Sequence, residues 1–120
     1  MDLTLKGKSA LVLGSTKGIG YGIAKVLLDQ GARVGIVGRD QSNAEKVAKN
    51  LSDDAAGFRC DTFDAKQIDN LYRDFCSRFG SPNILVLNGG GPPPGKAQGI
   101  SSEQWRDSFD GMFVNLVRLA

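Results

Sequence analysis

Seven residues near the amino terminus have the composition of a phosphate-binding loop. The run Gly-Ser-Thr-Lys-Gly-Ile-Gly follows the apolar stretch Ala10–Leu13 and precedes a segment with apolar residues at helical spacing. A helix that begins at such a loop directs free backbone N–H groups and the positive end of its dipole at an anion, and glycines let a pyrophosphate come close. The pattern predicts a dinucleotide-binding turn whose contacts are Gly14, Ser15, Thr16, Lys17, Gly18, Ile19 and Gly20. The simpler alternative is a tight strand-to-helix turn that requires glycine for its backbone alone.

The charge at the end of the second predicted strand bears on which dinucleotide would bind. An Asp or Glu there would accept hydrogen bonds from a ribose 2′-hydroxyl and repel a 2′-phosphate, but this chain has Gly38 followed by Arg39. Lys17 supplies a second cation beside the glycine loop. Because Arg and Lys bind phosphate through charge-assisted hydrogen bonds, the pair predicts NADP, with NADPH preferred over NADH. The alternative is that both side chains are solvated surface cations.

Short apolar runs alternate with helical segments along the chain, which is typical of βα units in a parallel sheet with helices on both faces. The predicted strands are Ala10–Leu13, Arg33–Val37, Ala55–Arg59 and Ile84–Leu87. The predicted helices are Ile19–Gln30, Gln41–Leu51, the segment from a cap at Asp64 to Phe79, and a last helix from Ser101 or Ser102 that still runs at Ala120. These elements predict one α/β domain over residues 1–120: a Rossmann-type sheet of strand order 3-2-1-4, half of a doubly wound fold.

Two motifs in this order resemble those of the short-chain dehydrogenases/reductases. The loop has their spacing Gly-x-x-x-Gly-Ile-Gly, and Ile-Leu-Val-Leu-Asn-Gly-Gly at 84–90 is similar to their Asn-Asn-Ala-Gly strand end. Within the family, the chain most resembles proteins related to 3-oxoacyl-acyl-carrier-protein reductase. The resemblance implies hydride transfer between NADP and a ketone or 3-oxoacyl carbonyl, with Asn88, Gly89 and Gly90 at the nicotinamide-ribose end. Cys-Asp-Thr at 60–62 is similar to the family's Cys-Asp-Val, which implies that Asp61 binds the adenine amino group and Thr62 contacts the cofactor nearby.

The catalytic residues of that family are mostly outside this sequence. The resemblance covers about the first half of a typical member, and we expect the chain to be truncated before the catalytic Ser and Tyr-x-x-x-Lys. The family's catalytic Asn follows a helix tryptophan by seven residues, where this chain has Met112, so Asn115 is the candidate; a polar residue in an interface helix is the equal alternative. Tyr21 and Lys25 have the Tyr-x-x-x-Lys spacing, but they follow the glycine loop directly and are interpreted as helix surface.

Composition excludes several other classes of function. Fifteen Lys and Arg against thirteen Asp and Glu, interspersed, predict no nucleic-acid partner. No apolar run is long enough to span a membrane, and no secretory signal is recognised, so a cytoplasmic location is predicted without a membrane partner. Two distant cysteines and no histidine predict no metal site.

Three hypotheses of function remain open from the sequence. The first is an NADP-dependent reductase of a small-molecule carbonyl substrate, of which this chain is the cofactor-binding half. The second is a module that binds NADP or a nucleotide without turnover. The third is an interaction fragment that needs its missing half or a partner to fold. The last helix carries an apolar stripe, and the family resemblance implies that this helix packs in a dimer interface, so a homo-oligomer is predicted. The alternative, for half of the stripe, is packing within the core of the same chain. The stripe consists of Phe109, Phe113, Leu116 and Val117.

Overall fold

A computed structural model of the chain describes residues 5–88. Strands and helices alternate strictly through this range. The strands are β1 (Ser9–Val12), β2 (Arg33–Gly38), β3 (Ala55–Arg59) and β4 (Ile84–Val86), and the helices are α1 (Gly18–Asp29), α2 (Gln41–Leu51) and α3 (Ala65–Phe79). All seven were predicted, with bounds within one residue. The last predicted helix, with its apolar stripe, lies outside the described residues.

The four strands form one parallel sheet in the order β3-β2-β1-β4, which confirms the predicted Rossmann-type order. The chain moves outward from β1 to β3 and then returns to add β4 on the other side of β1. This reversal opens a crevice at the carboxyl ends of β1 and β4, which is where open α/β sheets bind their ligands.

Alternating side chains of the sheet enter two separate apolar clusters, because successive residues of a strand face opposite sides. On one side Leu11 and Leu13 pack with Phe58 and with Phe75 of α3, and all four side chains are buried. On the other side Ala10 and Val12 pack toward α1 and α2, through side chains that include Ala24 and Ala48. Both faces of the sheet are therefore covered by helices, as the continuous apolar strands predicted.

The ends of α3 explain why it begins and ends where the sequence predicted. The Asp64 carboxylate accepts hydrogen bonds from the backbone N–H groups of Lys66 (3.0 Å) and Gln67 (3.3 Å). Gly80, with a φ of +76°, ends the helix and donates its backbone N–H to the Cys76 carbonyl. Over residues 5–88, none of the helices is long and apolar enough to cross a membrane.

Candidate functional site

The glycine loop turns sharply between β1 and α1. Gly14 has a φ of +57° and Gly18 a φ of +66°, a region that residues with a Cβ rarely adopt. Gly20 lies in the first turn of α1, where a Cβ would overlap the carbonyl oxygen of Gly14. The loop therefore requires glycine at these positions for its shape, and this shape places the amino terminus of α1 at the end of the sheet.

Two side chains hold this loop from opposite sides. The Ser15 hydroxyl is fully buried; it donates to the Val12 carbonyl (2.7 Å) and accepts from the backbone N–H of Val37 (2.8 Å). Asn88, just after β4, donates from Nδ2 to the Gly14 carbonyl (3.3 Å). The loop is thus hydrogen-bonded toward both β2 and β4, the two neighbours of β1 in the sheet.

A cavity of about 620 Å³ opens at this end of the sheet. This volume falls within the range of pockets that bind small molecules and cofactors. It brings together eight of the residues predicted to bind the dinucleotide: Gly14, Thr16, Lys17, Gly18, Gly38, Arg39, Thr62 and Asn88. The residues come from four segments that are far apart in sequence, each at the carboxyl end of a different strand.

Two cations of the lining are free to bind an anion. Lys17 and Arg39 are exposed, and neither side chain makes a hydrogen bond or an ion pair with any residue in the range 5–88. The salt bridge that this part of the chain does contain, Arg73 with Asp74 at 3.4 Å, involves neither of them. Neither cation is therefore paired with a carboxylate among residues 5–88.

The helices that meet this cavity differ at their amino termini. At α2, the Asp40 carboxylate accepts from the backbone N–H groups of Ser42 (3.0 Å) and Asn43 (3.4 Å), so this end already carries an anion. At α1, the N-cap residue Lys17 provides no side-chain cap and the first turn contains no acidic residue. The backbone N–H groups at the start of α1 are thus available to an external anion beside the glycines.

The cavity includes residues that the sequence analysis missed. Asp40 and Asn43 line it, together with Val37 and Cys60. Asp40 follows Arg39 directly and precedes a helix, so its capping role was readable from the sequence. No local signal indicated Asn43, because its place in the lining depends on the angle at which α2 leaves β2.

Four predicted contacts in the range 5–88 lie outside the lining. Ile19 is 78% exposed, and Gly20 packs against Gly14. The Ser15 side chain is turned into the sheet, so a contact with a ligand is open only to its backbone. Asp61 accepts from the Phe63 N–H (3.0 Å) and donates its own N–H to Gln67 (2.9 Å). Direct contacts by these residues stay predictions.

Three further predictions fall on residues outside the described range: Gly89, Gly90 and the candidate catalytic Asn115. Tyr21 and Lys25 lie on α1, and neither lines the cavity. Over residues 5–88, no group of three His, Cys, Asp or Glu side chains is placed to hold a metal ion.

Cys60 is a buried thiol in the wall of the cavity. Burial raises its pKa from 9.0 to about 12, and the carboxylates of Asp61 and Asp64 act in the same direction. We expect Cys60 to resist iodoacetamide at pH 8 in the folded chain and to react in denaturant, because the thiolate is the nucleophile. Mass spectrometry of the alkylated chain measures this; rapid modification of native Cys60 would contradict it.

The same shift has a consequence for stability. The pKa of Cys60 in the folded chain lies above its ordinary value, so the folded state holds this proton more tightly than the unfolded state. Its contribution to the free energy of unfolding is complete below about pH 9 and is lost as the pH rises toward 12.

Comparison with known proteins identifies related sequences along almost the whole chain. The profile of the family described as short chain dehydrogenase matches residues 8–120. A 3-oxoacyl-(acyl-carrier-protein) reductase of Vibrio cholerae is 29% identical over 118 residues, which are 98% of this chain and 48% of that protein. A D-threitol dehydrogenase of Mycolicibacterium smegmatis is 35% identical over 107 residues, 87% of this chain and 41% of that protein. The chain spans about half the length of the curated relatives it matches.

Solved structures of other proteins share the fold of this chain. An L-sorbose reductase of Gluconobacter frateurii, complexed with NADPH and L-sorbose, superimposes with a TM-score of 0.91 at 27% identity, covering 100% of this chain and 47% of that one. A 3-ketoacyl-(acyl-carrier-protein) reductase of Brucella melitensis, complexed with NADH, gives a TM-score of 0.83 at 35% identity, covering 97% and 48%. The two neighbours contain different nicotinamide dinucleotides.

Proposed function

We propose that this chain, which belongs to the short-chain dehydrogenase family, binds NADP and is the cofactor-binding half of an oxidoreductase that reduces a ketone or 3-oxoacyl group. The main support is the position of Lys17 and Arg39. Neither cation makes a hydrogen bond or ion pair within residues 5–88, and both line the cavity at which α1 begins with its amino terminus uncapped. The relatives and neighbours support a nicotinamide dinucleotide as the ligand class, since one structure contains NADPH and another NADH.

The residues of the cavity fit the parts of this cofactor. The glycine loop offers backbone N–H groups and close approach to a pyrophosphate. Arg39, at the end of β2, offers a guanidinium to a 2′-phosphate, and no carboxylate precedes it at Gly38, where a family member that selects NAD would carry one. Asn88 lies at the crevice between β1 and β4, the side proposed for the nicotinamide end.

In the proposed reaction the cofactor supplies the hydride, and the protein supplies binding and orientation. NADPH, when bound, provides the hydride that passes to a carbonyl carbon. The residues of this chain would bind and orient the cofactor. Backbone N–H groups and two cations would hold its anionic parts, and the hydrogen bond from Asn88 to the Gly14 carbonyl holds the loop in place. Neither tyrosine of the chain, Tyr21 or Tyr72, lines the cavity, so proton donation is assigned to none of the described residues.

A second candidate is a nucleotide-binding module without turnover. It is favoured by the lining of the cavity, which contains no tyrosine and no histidine among residues 5–88. Oxidation of NADPH by a set of ketones and 3-oxoacyl thioesters, followed at 340 nm with the protein that the complete reading frame encodes, separates the two: turnover supports the reductase, and binding without turnover supports the module.

The binding proposal is tested by titrating the full chain with NADPH and NADH, using the fluorescence of the reduced nicotinamide. We expect NADPH to bind at least about tenfold more tightly, because one charge-assisted contact to the 2′-phosphate contributes about 1.5–3 kcal/mol. The titration at raised salt is the control, since a contact between exposed charges weakens as ionic strength increases. Tighter binding of NADH, or no binding of either nucleotide, would contradict the proposal.

A further inference from the structure

Ser15 joins the two segments that the proposed cofactor would contact. The residue belongs to the glycine loop, yet its hydroxyl is fully buried and accepts from the N–H of Val37 at 2.8 Å, while its own backbone N–H donates to the Val37 carbonyl at 3.0 Å. Val37 lies two residues before Arg39. The hydroxyl also donates to the Val12 carbonyl at 2.7 Å. One residue thus fastens the loop to both β1 and β2.

The hydrogen bonds of Ser15 lie just beyond the last paired residues of β1 and β2. The paired residues of β1 and β2 run from Ser9 with Arg33 to Val12 with Ile36, and the chain then leaves β1 through the turn at Gly14. On the side that faces β1, Val37 is therefore held by residue 15 in place of a further strand pair, while on its other side it pairs with Phe58 of β3. The neighbouring contact adds to the connection, because Thr16 packs so closely over Gly38 that a Cβ there would lie 2.6 Å from the Thr16 methyl group.

The connection matters for a ligand with two anionic parts. A pyrophosphate at the glycine loop and a 2′-phosphate at Arg39 are separated by a fixed length of ligand, so both contacts form together only when the two protein segments keep their spacing. NADH lacks the 2′-phosphate and does not depend on Arg39 for charge neutralisation. The burial of the Ser15 side chain excludes its direct contact with either ligand.

We propose that Ser15 is a positioning residue that sets the spacing between the glycine loop and Arg39, and so determines the preference of the site for NADPH over NADH. The inference rests on the proposed function. It adds a residue that does not contact the cofactor: the Ser15 hydroxyl contacts only backbone groups of β1 and β2. Ser15 thereby acts through Val37 on Arg39.

The test compares the two nucleotides in the full chain carrying Ser15→Ala. We expect NADPH to lose about tenfold in affinity, the scale of one hydrogen bond, while the affinity for NADH changes by less than about twofold. The phosphorus NMR signal of the 2′-phosphate of bound NADPH gives a second readout, and we expect it to move toward the free position. Ser15→Cys, which nearly keeps the side-chain volume and weakens the acceptor, is the variant to use if Ser15→Ala does not fold; the same change in preference is expected.

A matched control lies at the amino-terminal end of β1. Ser9 is also buried, and its hydroxyl donates to the Ser81 carbonyl at 3.3 Å, at the end of the sheet opposite the cavity. Ser9→Ala should lower the denaturation midpoint without changing the ratio of NADPH to NADH affinity. An unchanged ratio in folded Ser15→Ala or Ser15→Cys overturns the positioning role while leaving NADP binding intact. Absence of NADPH preference in the unsubstituted chain overturns the proposed function and this inference together.

Discussion

Arg39→Asp is expected to lower the affinity for NADPH about 100-fold and to leave NADH within about threefold, so that NADH becomes the preferred nucleotide. The substitution removes the proposed charge-assisted contact to the 2′-phosphate, about 1.5–3 kcal/mol, and adds a carboxylate that would repel this phosphate. The carboxylate also offers an acceptor to the 2′-hydroxyl of NADH. Because Arg39 is exposed and has no partner among residues 5–88, its replacement breaks no contact of the described fold. Stability therefore should not change with it.

The control for this experiment is a substitution of equal charge at the far end of α2. Lys49 lies in the last turn of that helix, outside the lining of the cavity. Lys49→Asp changes the net charge by the same amount as Arg39→Asp, so it measures the contribution of overall charge to nucleotide affinity. Equal loss of NADPH in both variants, or equal loss of NADPH and NADH in Arg39→Asp, would refute a specific phosphate contact. Isothermal titration calorimetry near physiological salt gives the six affinities required, those of NADPH and NADH for the unsubstituted chain and for each variant.

Gly20→Ala is expected to abolish the binding of both nucleotides, with a loss of at least about 100-fold, and to lower the free energy of unfolding by about 1–3 kcal/mol. The added methyl group would overlap the Gly14 carbonyl oxygen and lie 2.9 Å from Nδ2 of Asn88. Relief of this overlap requires the loop to move away from α1, which displaces the backbone that we propose to bind the pyrophosphate. The hydrogen bond from Asn88 to Gly14 would be strained by the same movement.

The same helix contains a matched control two residues later. Gly22 is exposed, and a Cβ there would have no atom within 4 Å. Gly22→Ala should bind both nucleotides as the unsubstituted chain does and should raise stability by roughly 0.5–1 kcal/mol, because alanine favours the helix more than glycine does. Urea denaturation and nucleotide titration of both variants make the comparison. Gly20→Ala with unchanged midpoint and unchanged affinity would show that the close packing of Gly20 on Gly14 has no role in the site.

The sequence predicted those parts of the fold that depend on residues close together along the chain. Asp64 and Gly80 gave the two ends of α3 because capping uses groups within a few residues of the helix terminus. The start of β1 was placed one residue late, at Ala10, because Ser9 is polar. The structure buries Ser9 by bonding its backbone N–H to the Asn83 side chain at 2.9 Å, 74 residues away. A local pattern contains no information on such a partner.

In the candidate site, too, the sequence predicted features that depend on neighbouring residues and missed those that depend on distant contacts. Gly14, Lys17 and Gly18 were found from one continuous motif, and all three line the cavity. Ser15 belongs to the same motif, but the direction of its side chain is decided by Val37, 22 residues later. Asn43 was missed because helix orientation brings it to the lining. The motifs and the family resemblance that they carry therefore predicted which segments meet, and the tertiary hydrogen bonds decided which side chains point into the cavity.

Under the proposed function, the open amino terminus of α1 couples the stability of the fold to the concentration of the nucleotide. Among the helices of residues 5–88, α2 and α3 each have an aspartate that completes their first turn, whereas α1 has none. A nucleotide that completes α1 binds only the folded chain and stabilises it by mass action, by about 2.7 kcal/mol at a concentration 100 times its Kd. The fraction of unfolded chain exposed to proteases then falls as the cellular nucleotide pool rises. For a chain that binds the proposed cofactor, the missing cap makes resistance to proteolysis depend on the cofactor concentration.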